Sequence, residues 1–98
     1  SYAAARGAQA SYVRAVGVEV AASNVQVNLI AQNFLENPMY YGPEVQAMPA
    51  FQERLRREVP ASRLGTAHED ALFAVFLASS EGNYFAGQAI SFSGGWAP

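Results

Sequence analysis

From Tyr2 to Ala22 the chain runs without a proline, and most of what fills it is alanine, glycine, serine and valine. At 1.5 Å per residue this predicts a helix of ~30 Å, with Gly17 as its one late break. The small residues Ala3, Ala4, Ala5, Gly7, Ala8, Ala10, Ser11 and Ala15 spread over most of the circumference, mixed with Tyr12, Val13, Val16, Val18 and Val20. Charges are confined to Arg6, Arg14 and Glu19. A helix apolar nearly all round is one that is buried on more than one side. The stretch therefore predicts packing on a sheet with one face and on another helix, of the same or another subunit, with the other.

Ser23-Asn24 breaks the helix, and Val25-Gln26-Val27-Asn28-Leu29-Ile30-Ala31 follows. Its β-branched residues and bounded length predict a strand with Val25, Val27 and Leu29 on one face. A helix joined to a strand by two residues is the second half of a βαβ unit, and implies a parallel sheet. Gln32 to Pro43 then reads as a long loop, rich in aromatics and poor in charge. Ligands in open α/β sheets bind outside the carboxyl ends of strands, so this loop is either a pocket wall or a flap packed on the core.

Glu44 to Glu58 is predicted helical, with Pro49 interrupting or restarting it. Phe51, Leu55 and Val59 recur at four-residue intervals as an apolar stripe, with Arg54, Arg56, Arg57 and Glu58 facing water. In Thr66-Ala67-His68-Glu69 a hydroxyl and a carboxylate stand three apart, the pattern of a capping box. The helix it opens is expected to run to about Ser79 and to bury Ala71, Leu72, Val75, Phe76 and Ala78, with Phe73 and Leu77 widening that face. Gly82 is the expected stop. Gln88 to Ser93 predicts a second strand around Ile90 and Phe92, closed by Gly94-Gly95.

With 98 residues and half of them apolar, the composition is that of a globular protein, and the chain reads as a piece of something longer. No cysteine is present, which removes disulfides, thiolate metal sites and cysteine nucleophiles and accords with a cytoplasmic origin. The single histidine, His68, has no second histidine at ligand spacing and reads as an exposed first-turn residue. A net charge of −2 without any lysine argues against nucleic acid as a partner. No apolar run reaches the ~18 residues that a membrane span requires.

Tyr2 and Arg6 stand four residues apart, which in a helix puts a phenol and a permanent cation on one face. That is the spacing of an ordinary surface contact, and equally of a tyrosine base with its cation. A free phenol titrates near pH ~10, so a tyrosine that works as a base at neutral pH needs a fixed positive charge beside it.

The order of segments is more specific than any one of them. Tyr2 to Arg6, Val25 to Ala31, Arg63 to Gly65, Phe76 to Ser80, Gly87-Gln88 and Gly94-Gly95 together resemble the C-terminal half of a short-chain dehydrogenase/reductase. The resemblance implies the C-terminal part of a Rossmann-like, doubly wound parallel sheet, running helix, strand, loop, helix, helix, strand. The 98 residues then form the catalytic and pocket-bearing part of one such domain, with its N-terminal half absent. Two departures narrow it further. Reductases of the family carry lysine four residues after the tyrosine, where this chain has Arg6, and usually Pro-Gly after the strand, where it has Gln32-Asn33-Phe34-Leu35. Both are similar to the halohydrin dehalogenases, which share the fold, use no nicotinamide cofactor and hold a halide in its place.

What the resemblance implies is a lyase that closes vicinal halohydrins to epoxides, and opens epoxides with anions in reverse. Tyr2 would be the base and Arg6 its cation. Gln32, Asn33, Phe34 and Leu35 would form the halide pocket, with backbone amides near Phe34 and Leu35 as donors and Tyr40 and Tyr41 closing the wall. No cofactor is implied, and the assembly would be a homotetramer using the alanine-rich first helix. The family's substrate-positioning serine lies upstream of the tyrosine and outside this chain; Ser1 does not take its role. An NAD(P)-dependent reductase with arginine in the lysine position is the other enzymatic reading, and a non-catalytic relative remains a third.

Overall fold

A computed structural model describes residues 1–96. In chain order its elements are α1 (Tyr2–Ala21), β1 (Leu29–Gln32), α2 (Pro43–Gln46), α3 (Pro49–Glu58), α4 (Ala67–Ala78), a 3-10 turn (Ser80–Gly82) and β2 (Ala89–Phe92). β1 and β2 pair directly in one two-stranded sheet. The Gly87 N–H donates to Val27, Leu29 to Gln88 and Asn33 to Phe92, a register that rises along both strands and so makes them parallel. The connection between them carries α2, α3 and α4, as a parallel pair requires.

β1 begins four residues later than the β-branched run suggests. Val25 to Asn28 precede the assigned strand, and Asn28 spends its side chain on the turn before β2. Its Nδ2 donates to the Phe85 carbonyl at 3.0 Å, and its Oδ1 accepts from the Gln88 N–H at 3.1 Å. Gln32, expected in the loop, is the last residue of the strand.

The chain divides into two compact units. One comprises Ser1–Ala31 with Ala74–Ile90, the other Gln32–Phe73 with the segment that starts at Ser91. In the first unit, Ser1 caps α1 by accepting from the Ala4 N–H. Only one face of that helix is covered: Ala10, Val13, Val16 and Val20 are half-buried around a fully buried Gly17, while Tyr2, Tyr12 and Val18 are exposed. Burial on more than one side is thus not found among the described residues. Gly17 has a packing role instead. A Cβ there would lie 2.3 Å from the Gly87 Cα and 2.8 Å from the Val27 oxygen, so the helix meets this turn backbone to backbone.

The second unit holds the apolar core, Phe34, Phe51, Leu55 and Val59, with Tyr41, Val45 and Leu64 packed against it. The predicted stripe of α3 supplies three of those four residues. Pro49 stands at the start of α3, where its missing N–H costs no helical hydrogen bond, so it restarts the helix as expected. At the entry to α4 the Glu69 N–H donates to Thr66 Oγ1 at 3.0 Å, and the Ala67 N–H is taken by Glu36 Oε1 at 2.9 Å. The expected buried face of α4 is corrected. Phe73 and Leu77 are its half-buried apolar residues, whereas Leu72, Val75 and Phe76 are exposed at 56%, 66% and 40%. Apolar residues surround this helix, so their spacing does not select a face. No helix among the described residues is long and apolar enough to cross a membrane.

Candidate active site

Tyr2 is the first residue of α1, and Arg6 reaches back one turn so that its guanidinium carbon lies 5.1 Å from the centre of the Tyr2 ring. The cation is also tied forward, Arg6 Nη1 donating to Gln9 Oε1 at 2.8 Å. Two sources of positive potential therefore converge on this phenol: a cation over its ring and the N-terminal end of a twenty-residue helix. Tyr2 itself is 76% exposed.

In the second unit, Asn33, Phe34 and Leu35 line one cavity of about 170 Å³ together with Ala61, Arg63, Gly65, Glu69, Phe92, Ser93 and Gly94. Phe34 is 2% exposed and has a φ of 55°, the left-handed region that bulky residues avoid. Its ring is held from several sides: Tyr41 stacks on it and Trp96 meets it edge-on, each at 6.0 Å, while the Arg54 guanidinium lies 5.2 Å from its centre. The Phe34 N–H turns onto Asn33 Oδ1 at 2.9 Å. Leu35 follows in a parallel bridge to Gly65, flanked by bonds from the Gly65 N–H to the Phe34 carbonyl and from the Glu36 N–H to the Gly65 carbonyl. That pattern directs the Leu35 N–H to the opposite side of the ladder. Of the two expected amide donors, the one at Phe34 is already satisfied and the one at Leu35 points away from Gly65.

The other expected pocket residues separate from this cavity. Gln32 donates through Nε2 to Asp70 Oδ2 at 2.6 Å, and the second Asp70 oxygen is buried without a partner among the described residues. Tyr41 stacks between Phe34 and Phe51 and faces a different cavity, one lined by Asn37, Pro38 and Gln46. Tyr40 is 68% exposed, beside a turn in which Asn37 Oδ1 accepts the Met39 and Tyr40 N–H groups.

Arg63 and Glu69 were not singled out as site residues by the sequence, yet both stand in the cavity wall, joined at 3.0 Å. The hydrogen bond from Arg63 holds the Glu69 carboxyl below its ordinary range, with the Thr66 N–H adding to the effect. Arg63-Leu64-Gly65 is visible as a motif, but nothing in its spacing announces a cavity whose other wall comes from the segment after β1 and from the end of β2 with the turn that follows it. No group of three or more histidine, cysteine, aspartate or glutamate side chains among the described residues is arranged to hold a metal ion.

Comparison with known proteins places these features in context. The family model described as Enoyl-(Acyl carrier protein) reductase matches residues 1–97. The 3-oxoacyl-[acyl-carrier-protein] reductase FabG of Chlamydia muridarum (strain MoPn / Nigg) is 36% identical over 101 residues, which cover 99% of this chain and 38% of that protein. Among solved structures, one described as "Dehalogenation enzyme" superposes with a TM-score of 0.89 at 29% identity, covering 98% of this chain and 39% of its own. YwfH, described as an NADPH dependent reductase involved in bacilysin biosynthesis, superposes with a TM-score of 0.80 at 29% identity, covering 93% and 37%. The chain thus spans little more than a third of the length of the relatives it matches.

Proposed function

We propose that this chain, which belongs to the short-chain dehydrogenase/reductase family, forms the catalytic and halide-pocket part of a halohydrin dehalogenase. The observation that carries the reading is the arginine over the Tyr2 ring. Arginine stays protonated and does not pass a proton along a relay as lysine can, so it suits a tyrosine held ready as a base. Tyr2 takes the proton of the substrate hydroxyl, the alkoxide oxygen forms a bond to the neighbouring carbon, and the carbon–halogen bond breaks as the epoxide closes. The halide leaves into an apolar recess, for which the cavity beside Asn33, Phe34 and Leu35 is the candidate, with the Leu35 N–H as donor. No nicotinamide takes part in this reaction. A small-molecule halohydrin or epoxide and the halide ion are the partners, in a homotetramer that uses α1.

The names of the curated relatives favour a second reading, an NAD(P)-dependent reductase with Arg6 in place of the lysine. A bound nicotinamide would supply hydride in that case. The two readings separate in the full-length protein. The first expects bromide release from a vicinal bromoalcohol, at least ~100-fold lower in Tyr2→Phe with the fold retained. It also expects a melting temperature raised by bromide or chloride and unmoved by NADH or NADPH. Stabilisation by the nucleotides alone would establish the reductase reading instead, and full activity in Tyr2→Phe would remove Tyr2 as the base.

A further inference from the structure

We infer that Arg63 and Glu69 set the anion affinity of the cavity beside the Asn33 to Leu35 turn, Arg63 as a specificity-determining cation and Glu69 as the counter-charge that restrains it. The inference rests on reading that cavity as the halide site. Its wall is otherwise largely apolar, built from Phe34, Leu35, Ala61 and Phe92. The Arg63 and Glu69 side chains are 58% and 40% exposed, so water screens their field in the cavity and the expected effect on a bound ion is moderate. Arg63 is the permanent cation among the lining residues and Glu69 is the anion.

The described contacts of the Arg63 guanidinium run through one nitrogen. Nη1 donates to the Leu64 carbonyl at 3.0 Å and lies 3.0 and 3.2 Å from the two Glu69 oxygens. The Nε and Nη2 groups have no partner among the described residues, so the guanidinium keeps donors for a second anion. The Glu69 backbone is anchored independently of this pairing, because its own N–H is bound to Thr66 Oγ1 at the start of α4. Capping thus sets the backbone position from which the carboxylate reaches the cation, and Arg63 holds the carboxylate itself. The other carboxylate of that first turn, Asp70, is engaged by Gln32 and is not a lining residue.

This arrangement has a use in a reaction whose product is an anion. An unrestrained arginine would hold halide after the epoxide has left, and no cation at all would weaken the capture of an incoming anion in the reverse direction. A half-neutralised arginine lies between these limits, and altering either partner moves the affinity in a defined direction.

The test is bromide affinity measured by calorimetric titration of the full-length protein at constant ionic strength, in the wild type and three variants. Glu69→Gln, which keeps the capping geometry, is expected to tighten bromide about threefold to tenfold. Arg63→Gln is expected to weaken it by a similar factor, and Arg63→Lys to stay within about threefold of the wild type. The opposite signs are the decisive feature, since a merely structural role would weaken binding in both neutral variants together with stability. Wild-type binding with unchanged or equally weakened variants overturns the role of the pair alone. Absence of bromide binding in the wild type overturns the halide reading and this inference with it.

Discussion

Gly7 and Gly17 lie on the same helix, and the surroundings of each give the same substitution opposite consequences. A Cβ added at Gly7 would meet nothing within 4 Å, whereas one at Gly17 would stand 2.3 Å from the Gly87 Cα. Glycine within a helix costs roughly 0.5–1 kcal/mol relative to alanine, so Gly7→Ala is expected to stabilise the protein by about that amount. Gly17→Ala collects the same helix gain but must force two backbones apart, and a net loss of about 1–3 kcal/mol is expected. Denaturant unfolding of the full-length protein checks the pair; shifts of the same sign would remove the close approach of α1 to the turn at Gly87. The contrast also shows what was readable from residues alone. Tyr2 and Arg6 are one helical turn apart, and their contact follows from spacing. The partner of Gly17 is distant in sequence, which is why the chain presents that glycine only as a weak point in a helix.

Among the helices, α3 was legible and α4 was not, for one physical reason. In α3 the apolar residues stand against charged ones, and Phe51 and Leu55 are buried where the pattern puts them. In α4 apolar residues occupy every side, so the half-buried positions Phe73 and Leu77 depend on what surrounds the helix. The charged side of α3 is testable in its own right. Hydrogen bonds from Arg57 and then Arg54 hold the Glu58 carboxyl below its ordinary value of 4.5. A depressed carboxyl pKa contributes stability that is present above the ordinary value and lost as pH falls through the lowered one. Glu58→Gln is therefore expected to lower the melting temperature slightly at pH 7, and the difference from the wild type should close as the pH drops below 4.5. A constant difference across that range would assign the loss to packing. Arg54 links this ion pair to the pocket, because the same guanidinium lies over the Phe34 ring.

At the scale of the molecule, apolar burial is unequally divided. The buried hydrophobic residues among those described, Phe34, Phe51, Leu55 and Val59, all belong to the second unit. In the first unit the fully buried residues are Gly17, Gly82 and Gly87, while Tyr12, Val18, Val75 and Phe76 are exposed. Backbone hydrogen bonding and close glycine contacts shape such a unit, but most hydrophobic stabilisation comes from removing apolar surface from water. The alanine-rich composition predicts a helix covered on several sides; any cover beyond the one half-buried face would come from outside the described residues. Hydrogen exchange decides where it comes from. In the 98-residue chain by itself, amides of α1 are expected to exchange faster than those of α3, which carries the core residues Phe51 and Leu55. In the full-length protein α1 is expected to become at least as protected as α3. If that protection falls on dilution, neighbouring subunits supply the cover, as assembly through α1 requires. Protection that is independent of concentration would assign the cover to the same polypeptide and remove α1 as the assembly surface. Strong protection of α1 already in the 98-residue chain would show that its single half-buried face suffices.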